Sequence, residues 1–336
     1  MKKITKSRVK NREEIQNFIQ NILIREDDYE IRMKNEVIPF AKNILQQGEL
    51  VTEDGLRLKY YYAVNGGEKG SVVFSHGFCE FVGKYYEMLY YFYRMGYSVF
   101  LLEHRGHGNS DREVSGFEKV HVESYLEYIR DFHKFIKEVV VKKKKTKDLK
   151  LFAHSMGGCI GALYLEKFPS TFKKAILSSP MIEMNTDAKK WELKAVIFFT
   201  KLFGLKKKYV PGGHGFNKNL TPAGSNSISE KRFKYILESR IKEPRYRTTS
   251  PTNGWLIASL KASHYVKNNA RDIRVPVLLC QASEDKMVIN AAQDKFAHKL
   301  KKVKLSKYQG SRHEIFNATT ELRERFYREV FAFLEM

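Results

Sequence analysis

The run Ala153-His154-Ser155-Met156-Gly157 places a hydroxyl nucleophile between two small residues. It follows the apolar stretch Leu149 to Phe152 and opens a helical pattern from Gly157 to Phe168, so Ser155 is expected on a sharp strand-to-helix turn. Only small side chains at 153 and 157 let the chain turn so tightly, and the first N–H groups of the helix then face any negative charge that develops. A serine hydroxyl needs a base, and the base needs an acid to orient it. Downstream, Gln281-Ala-Ser-Glu-Asp285 offers the acid, Asp285, with Glu284 as the adjacent alternative, and Gln309-Gly310-Ser-Arg-His313 offers the base, His313. The order serine, acid, histidine is one in which such triads occur. His313 would take the Ser155 proton and return it to a leaving oxygen, with Asp285 fixing its tautomer. A tetrahedral oxyanion also needs donors, each worth about 3 kcal/mol. Ser75-His76-Gly77-Phe78 follows an early strand, so the Phe78 amide could stand beside that of Met156; His76 and His154 read as structural hydrogen-bonding residues.

These residues need a scaffold that brings distant loops to one edge. From residue 50 onward, strands such as Ser71-Val-Val-Phe-Ser, Tyr97 to Leu102, Leu149 to Ala153, Lys174 to Ser178 and Val275 to Cys280 alternate with helices at Lys84–Met95, Tyr125–Val141, Gly157–Phe168, Asn290–Lys301 and Thr319–Leu334. Nearly continuous apolar strands alternating with helices predict an α/β fold, a mostly parallel central sheet covered on both faces. Residues 1–47 read as an N-terminal helical extension, 48–181 and 270–336 as the core, and 182–269 as a helical cap inserted between two core strands. The insertion holds an apolar helix, Trp191 to Leu205, whose Trp191 and Phe198 are the candidate substrate-binding aromatics.

Composition narrows the setting. A chain of 336 residues with 43% hydrophobic content can fill a large core. Cys79, Cys159 and Cys280 are odd in number and widely spaced, which suggests neither a disulfide framework nor a zinc site. The basic stretch Met1 to Lys10 is followed by polar residues rather than an apolar run, so a cytoplasmic protein is expected, possible contact with the inner membrane face included. The net charge of +22 would suit an anionic membrane or reflect a general preference for lysine. No zinc-finger spacing or RNP-type aromatic signature supports nucleic acid as a partner. The run Lys142 to Lys145 precedes a strand and so falls on the face opposite the expected site.

With these residues in hand, the chain resembles the monoacylglycerol lipase and bacterial lysophospholipase branch of the α/β-hydrolases. The matching segments are Phe74-Ser-His-Gly-Phe-Cys-Glu80, Glu103-His-Arg-Gly-His-Gly-Asn-Ser110, Ala153-His-Ser-Met-Gly-Gly158, Ser283-Glu-Asp285 and Gly310-Ser-Arg-His313-Glu314. Within the insertion, Asn226-Ser-Ile-Ser, Arg232-Phe and Pro251-Thr-Asn-Gly-Trp255 look like cap motifs of the lysophospholipases. The resemblance implies hydrolysis of a lipid carboxyl ester through an acyl-enzyme on Ser155, under a cap, with no metal or organic cofactor. Lysophospholipid is the expected substrate, with monoacylglycerol or a general carboxylic ester as the alternatives. A noncatalytic protein using its basic surface on membrane or nucleic acid is the reading of another class. Two departures stand out: Ala153 replaces the first glycine of the elbow, and Glu103 stands where many relatives carry aspartate, a structural acid in them.

Overall fold

A computed structural model describes residues 2–186 and 188–336, with side chains from residue 10 onward, so all of the basic stretch Met1 to Lys10 except the Lys10 side chain lies outside the described side chains. Among these residues run the strands β1 (Gln46–Val51), β2 (Arg57–Ala63), β3 (Gly70–Ser75), β4 (Tyr97–Leu102), β5 (Lys119–Val120), β6 (Leu149–His154), β7 (Lys174–Ser178), β8 (Ser250–Pro251), β9 (Val277–Ala282) and β10 (Val303–Tyr308). Eight of them form one sheet in the order β1-β2-β4-β3-β6-β7-β9-β10. β2 is antiparallel to both of its neighbours, and every pair from β4 to β10 is parallel. The short β5 and β8 pair with each other.

The helices are α1 (Lys2–Asn17), α2 (Tyr29–Arg32), α3 (Ile38–Asn43), α4 (Val82–Arg94), α5 (Tyr125–Phe135), α6 (Val141–Lys143), α7 (Met156–Lys167), α8 (Lys190–Leu202), α9 (Glu230–Lys242), α10 (Asn253–Asn269), α11 (Asn290–Lys299) and α12 (Thr320–Glu335). β3, β4, β6 and β9 are buried at every position, as a sheet covered on both faces requires. The two-residue repeat divides their side chains. Val73, Leu151 and Leu279 join the cluster formed with α5, α7, α10 and α11, whereas Val72, Phe152 and Leu278 join the one formed with α4 and α12. Each such fully buried side chain contributes roughly 1.5–3 kcal/mol. β9 begins two residues later than its apolar run, because Pro276 has no N–H to give to the ladder.

The helices before β1 extend the second cluster. Phe18, just after α1, meets Phe331 of α12 with ring centres 4.8 Å apart and Tyr91 of α4 at 5.3 Å. Within 182–269, α10 behaves as core: Trp255, Ala258, Ala262 and Val266 belong to the same apolar cluster as α7. The strand order reverses around β3, with β4 on one side and β6 on the other, which opens a crevice at the carboxyl ends of the strands. Phe78, Ser155, Asp285 and His313 lie in the loops that leave β3, β6, β9 and β10.

Candidate active site

Ser155 is the single residue between β6 and α7, with φ +53° and ψ −119°. For a residue with a Cβ this backbone costs on the order of 1–3 kcal/mol, and it persists only where the surroundings fix it. Here the Ser155 N–H donates to the Ser178 carbonyl at 3.1 Å, and its own carbonyl accepts from Gly158 at 2.9 Å and Met181 at 2.9 Å. The glycine at 157 is required by close approach, since a Cβ there would lie 2.1 Å from the Ser75 carbonyl oxygen. Ala153 is accommodated one helical turn further on: a Cβ on Gly161 would already stand 3.0 Å from the Ala153 methyl, so the space lost at 153 is recovered at 161.

His313 Nδ1 and Asp285 Oδ2 are 2.6 Å apart. The other Asp285 oxygen accepts from the Met287 and Val288 amides at 2.8 and 3.1 Å, which anchors a fully buried carboxylate. Glu284, the sequence alternative, is exposed, and its amide donates to the Ser311 carbonyl. With Nδ1 committed to Asp285, His313 has Nε2 free to work with Ser155, and both residues line one cavity of about 730 Å³. Met156 opens α7, so its N–H is one of the helix donors without an intrahelical acceptor. Phe78 lines the same cavity and packs on Trp255, ring centres 4.4 Å apart.

His76 and His154 are fasteners. His76 is bonded to the Gly77 carbonyl and accepts from the His104 amide, and His154 is bonded to the Ser178 carbonyl. Burial pushes both down to about 4, so they are neutral at physiological pH. Glu103 is buried, accepts from the Val82 and Asn109 amides at 2.8 and 2.7 Å, and is pushed up by burial to about 7. Sequence reasoning did not assemble two further ionic clusters. At the cavity wall, Lys84 binds Glu80 and Glu314, each at 2.6 Å, and Glu80 also accepts from Tyr85. Burial opposes the charge on Glu80, but Lys84 and His154 hold its carboxyl below the usual range. Farther out, Glu87 of α4 takes both Arg232 of α9 and Arg323 of α12, while Arg232 also reaches Glu26 at 2.7 Å. Only the i,i+4 spacing of Glu80 and Lys84 was a local signal; the rest join remote segments.

Two sequence-based assignments need correction. Trp191 and Phe198 are 65% and 61% exposed and do not line the cavity, which takes Leu193 and Val196 from the same helix. Residues seven apart share a helix face, and in α8 that face points away from the site. Among the described residues, no group of three or more His, Cys, Asp or Glu could hold a metal ion. The three cysteines are free.

Residues 66–320 match the family described as "Serine aminopeptidase, S33". The chain is similar to a probable lysophospholipase L2 of Haemophilus influenzae, 25% identical over 94% of this chain and 99% of that protein. It is also similar to the human monoglyceride lipase, 26% identical over 84% of this chain and 88% of that one. A solved carboxyl esterase from Bacillus coagulans shares the fold, with a TM-score of 0.71 at 19% identity over 87% of this chain and 98% of that chain.

Proposed function

Because the chain belongs to the family described as serine aminopeptidase, S33, we propose that it is a serine carboxylester hydrolase of lipid monoesters, with lysophospholipid as its substrate. The observation that carries this reading is the opening of Ser155 and the Asp285-paired His313 into one largely apolar cavity. Ser155 Oγ adds to the acyl carbonyl carbon as His313 Nε2 takes its proton, and Asp285 stabilises the imidazolium. The Met156 and Phe78 amides receive the oxyanion. Collapse breaks the ester C–O bond, the alcohol leaves with the proton from His313, and water then repeats the sequence to release the fatty acid.

Acyl over peptide substrates is favoured by the cavity wall. Leu193, Val196, Met184 and Trp255 are apolar, and the buried carboxylates Glu80 and Glu314 are both engaged by Lys84 rather than open to a substrate ammonium. The outer face of α8 supports a second element of the reading, peripheral contact with an anionic membrane. Trp191, Phe198, Phe199, Leu202 and Phe203 are all exposed, with exposed Lys190, Lys194 and Lys201 among them. No helix among the described residues is long and apolar enough to cross a membrane.

The deciding experiment compares lysophospholipids, monoacylglycerols and short-chain esters, with Ser155→Ala and His313→Ala as controls. Turnover of long-chain monoesters that disappears in both variants is expected. Turnover confined to short esters would remove the lipid assignment.

A further inference from the structure

A second cavity, of about 370 Å³, adjoins the first and shares Phe78, Lys84, Asn226 and Glu314 with it. Its charged lining residues are Lys84, Glu314 and Arg240. Lys84 and Glu314 bind each other at 2.6 Å, and Glu80, on the other side of Lys84, is engaged in the same way. Arg240 differs. Its donors go to neutral oxygens: Nε to the Tyr246 carbonyl at 3.1 Å, and Nη2 to the Thr248 carbonyl at 2.7 Å and the Thr249 hydroxyl at 3.3 Å. Among the described residues it makes no ion pair within 4.0 Å, and Glu118 acts on it only from beyond that range. Phe216 covers the guanidinium, 4.7 Å from the ring centre. These bonds use the Nε hydrogen and both Nη2 hydrogens, which leaves the two Nη1 hydrogens of a fixed guanidinium that lacks a carboxylate to receive an anion oxygen such as that of a phosphate.

We infer that this second cavity is a headgroup subsite in which Arg240 receives the phosphate ester of the departing alcohol while the acyl chain lies in the main cavity. The assignment rests on the lysophospholipid reading above. Asn226, shared by the two cavities, stands where the glycerol would join them. The subsite therefore selects a phosphorylated small alcohol over bare glycerol.

The test measures kcat/KM for a lysophospholipid and a monoacylglycerol of the same acyl chain, using the full-length protein, Arg240→Gln and Arg240→Lys. The ratio between the two substrates should fall about tenfold or more in R240Q, the size of a lost hydrogen bond to a charged group, and recover in part in R240K. Glycerol 3-phosphate should inhibit short-ester turnover more strongly than glycerol does, and R240Q should remove that advantage. A ratio unchanged in both variants overturns the subsite, as does inhibition by inorganic phosphate equal to that by glycerol 3-phosphate, which would mark a free-anion site. If R240Q does not fold, R240K and the inhibition series on the wild-type chain decide the same question. A wild-type chain that cleaves monoacylglycerol but no lysophospholipid removes the substrate reading and the subsite together. Cleavage of both, with the ratio intact in the variants, removes the subsite alone.

Discussion

At the floor of the cavity, Ser75, His76, Ser178 and the Asp285 side chain are wholly buried, and the elbow, the base and its acid are each held by named hydrogen bonds. At the roof, α8 buries Thr200 alone and turns Phe198 and Phe199 outward, edge to face with each other, with Phe199 stacked on Phe203 just past the helix. The contrast is one of packing. Chemistry needs its groups within about 0.5 Å of the productive geometry, which only over-determined packing maintains. An element that buries a single side chain has no such packing and belongs to the low-stability end of a fold. Farther out, the Glu26–Arg232–Glu87–Arg323 cluster ties α9 to α4 and α12.

The strongest test of the rigid floor is Ser155→Ala, which should lower kcat by roughly 10⁶-fold with little change in melting temperature, and Asp285→Asn should lower it by about 10⁴-fold. Short-ester kinetics beside thermal denaturation check both. Retained turnover in S155A would break the floor's assignment as the catalytic surface.

Next in size is the tie of α9 to α4 and α12. Arg232→Met leaves Glu87 with Arg323 alone and should cost about 3 kcal/mol in denaturant unfolding, whereas replacing Arg232, Glu87 and Arg323 together by apolar residues strands no buried charge and should cost less per residue removed. Equal losses per residue in the single and triple variants would show that the cluster acts through packing and not through charge.

Acid separates the two regions again. His76 and His154 have folded values of about 4, below the usual histidine value of about 6.5. The unfolded chain therefore binds more protons between those values, and the stability these residues contribute is complete above about pH 6.5 and lost as pH falls through 4. At the tie, burial alone would raise Glu87, but Arg232 and Arg323 bring it down to about 2. Its contribution is present above the ordinary carboxylate value of about 4.3 and is lost as pH falls through 2. Urea unfolding at stepped pH should show the floor weakening first, and H76N with H154N should flatten the upper part of the profile.

The smallest effect belongs to the outer roof. Phe198→Ser with Phe199→Ser should change stability by less than about 0.5 kcal/mol and leave soluble short-ester turnover near wild type, while weakening co-sedimentation with anionic vesicles. Undiminished vesicle binding would assign the basic surface elsewhere, for instance to Lys142 to Lys145 at the opposite end of β6.

By itself the sequence placed the three candidate residues. Ser155 and Asp285 each follow an apolar strand and His313 follows an alternating one, all within a few residues, so a short-range pattern is enough to place all three at the same edge of the sheet. The glycine at 157 was legible for the same reason, being local to its turn. Tertiary structure alone decided the roof. The helix around Phe198 is apolar on several sides, and composition cannot say which face meets the cavity; packing turned Leu193 and Val196 inward and left Trp191 and Phe198 outside. It also decided that α10 joins the core beside α7, that Gly161 makes room for Ala153, and that Arg240 lacks the carboxylate that Arg232 and Arg323 find in Glu87. The physical reason is range. Strand period and turn chemistry act over a few residues, whereas the partner of a buried charge and the inward face of a helix depend on segments hundreds of positions away, which only the folded chain brings together.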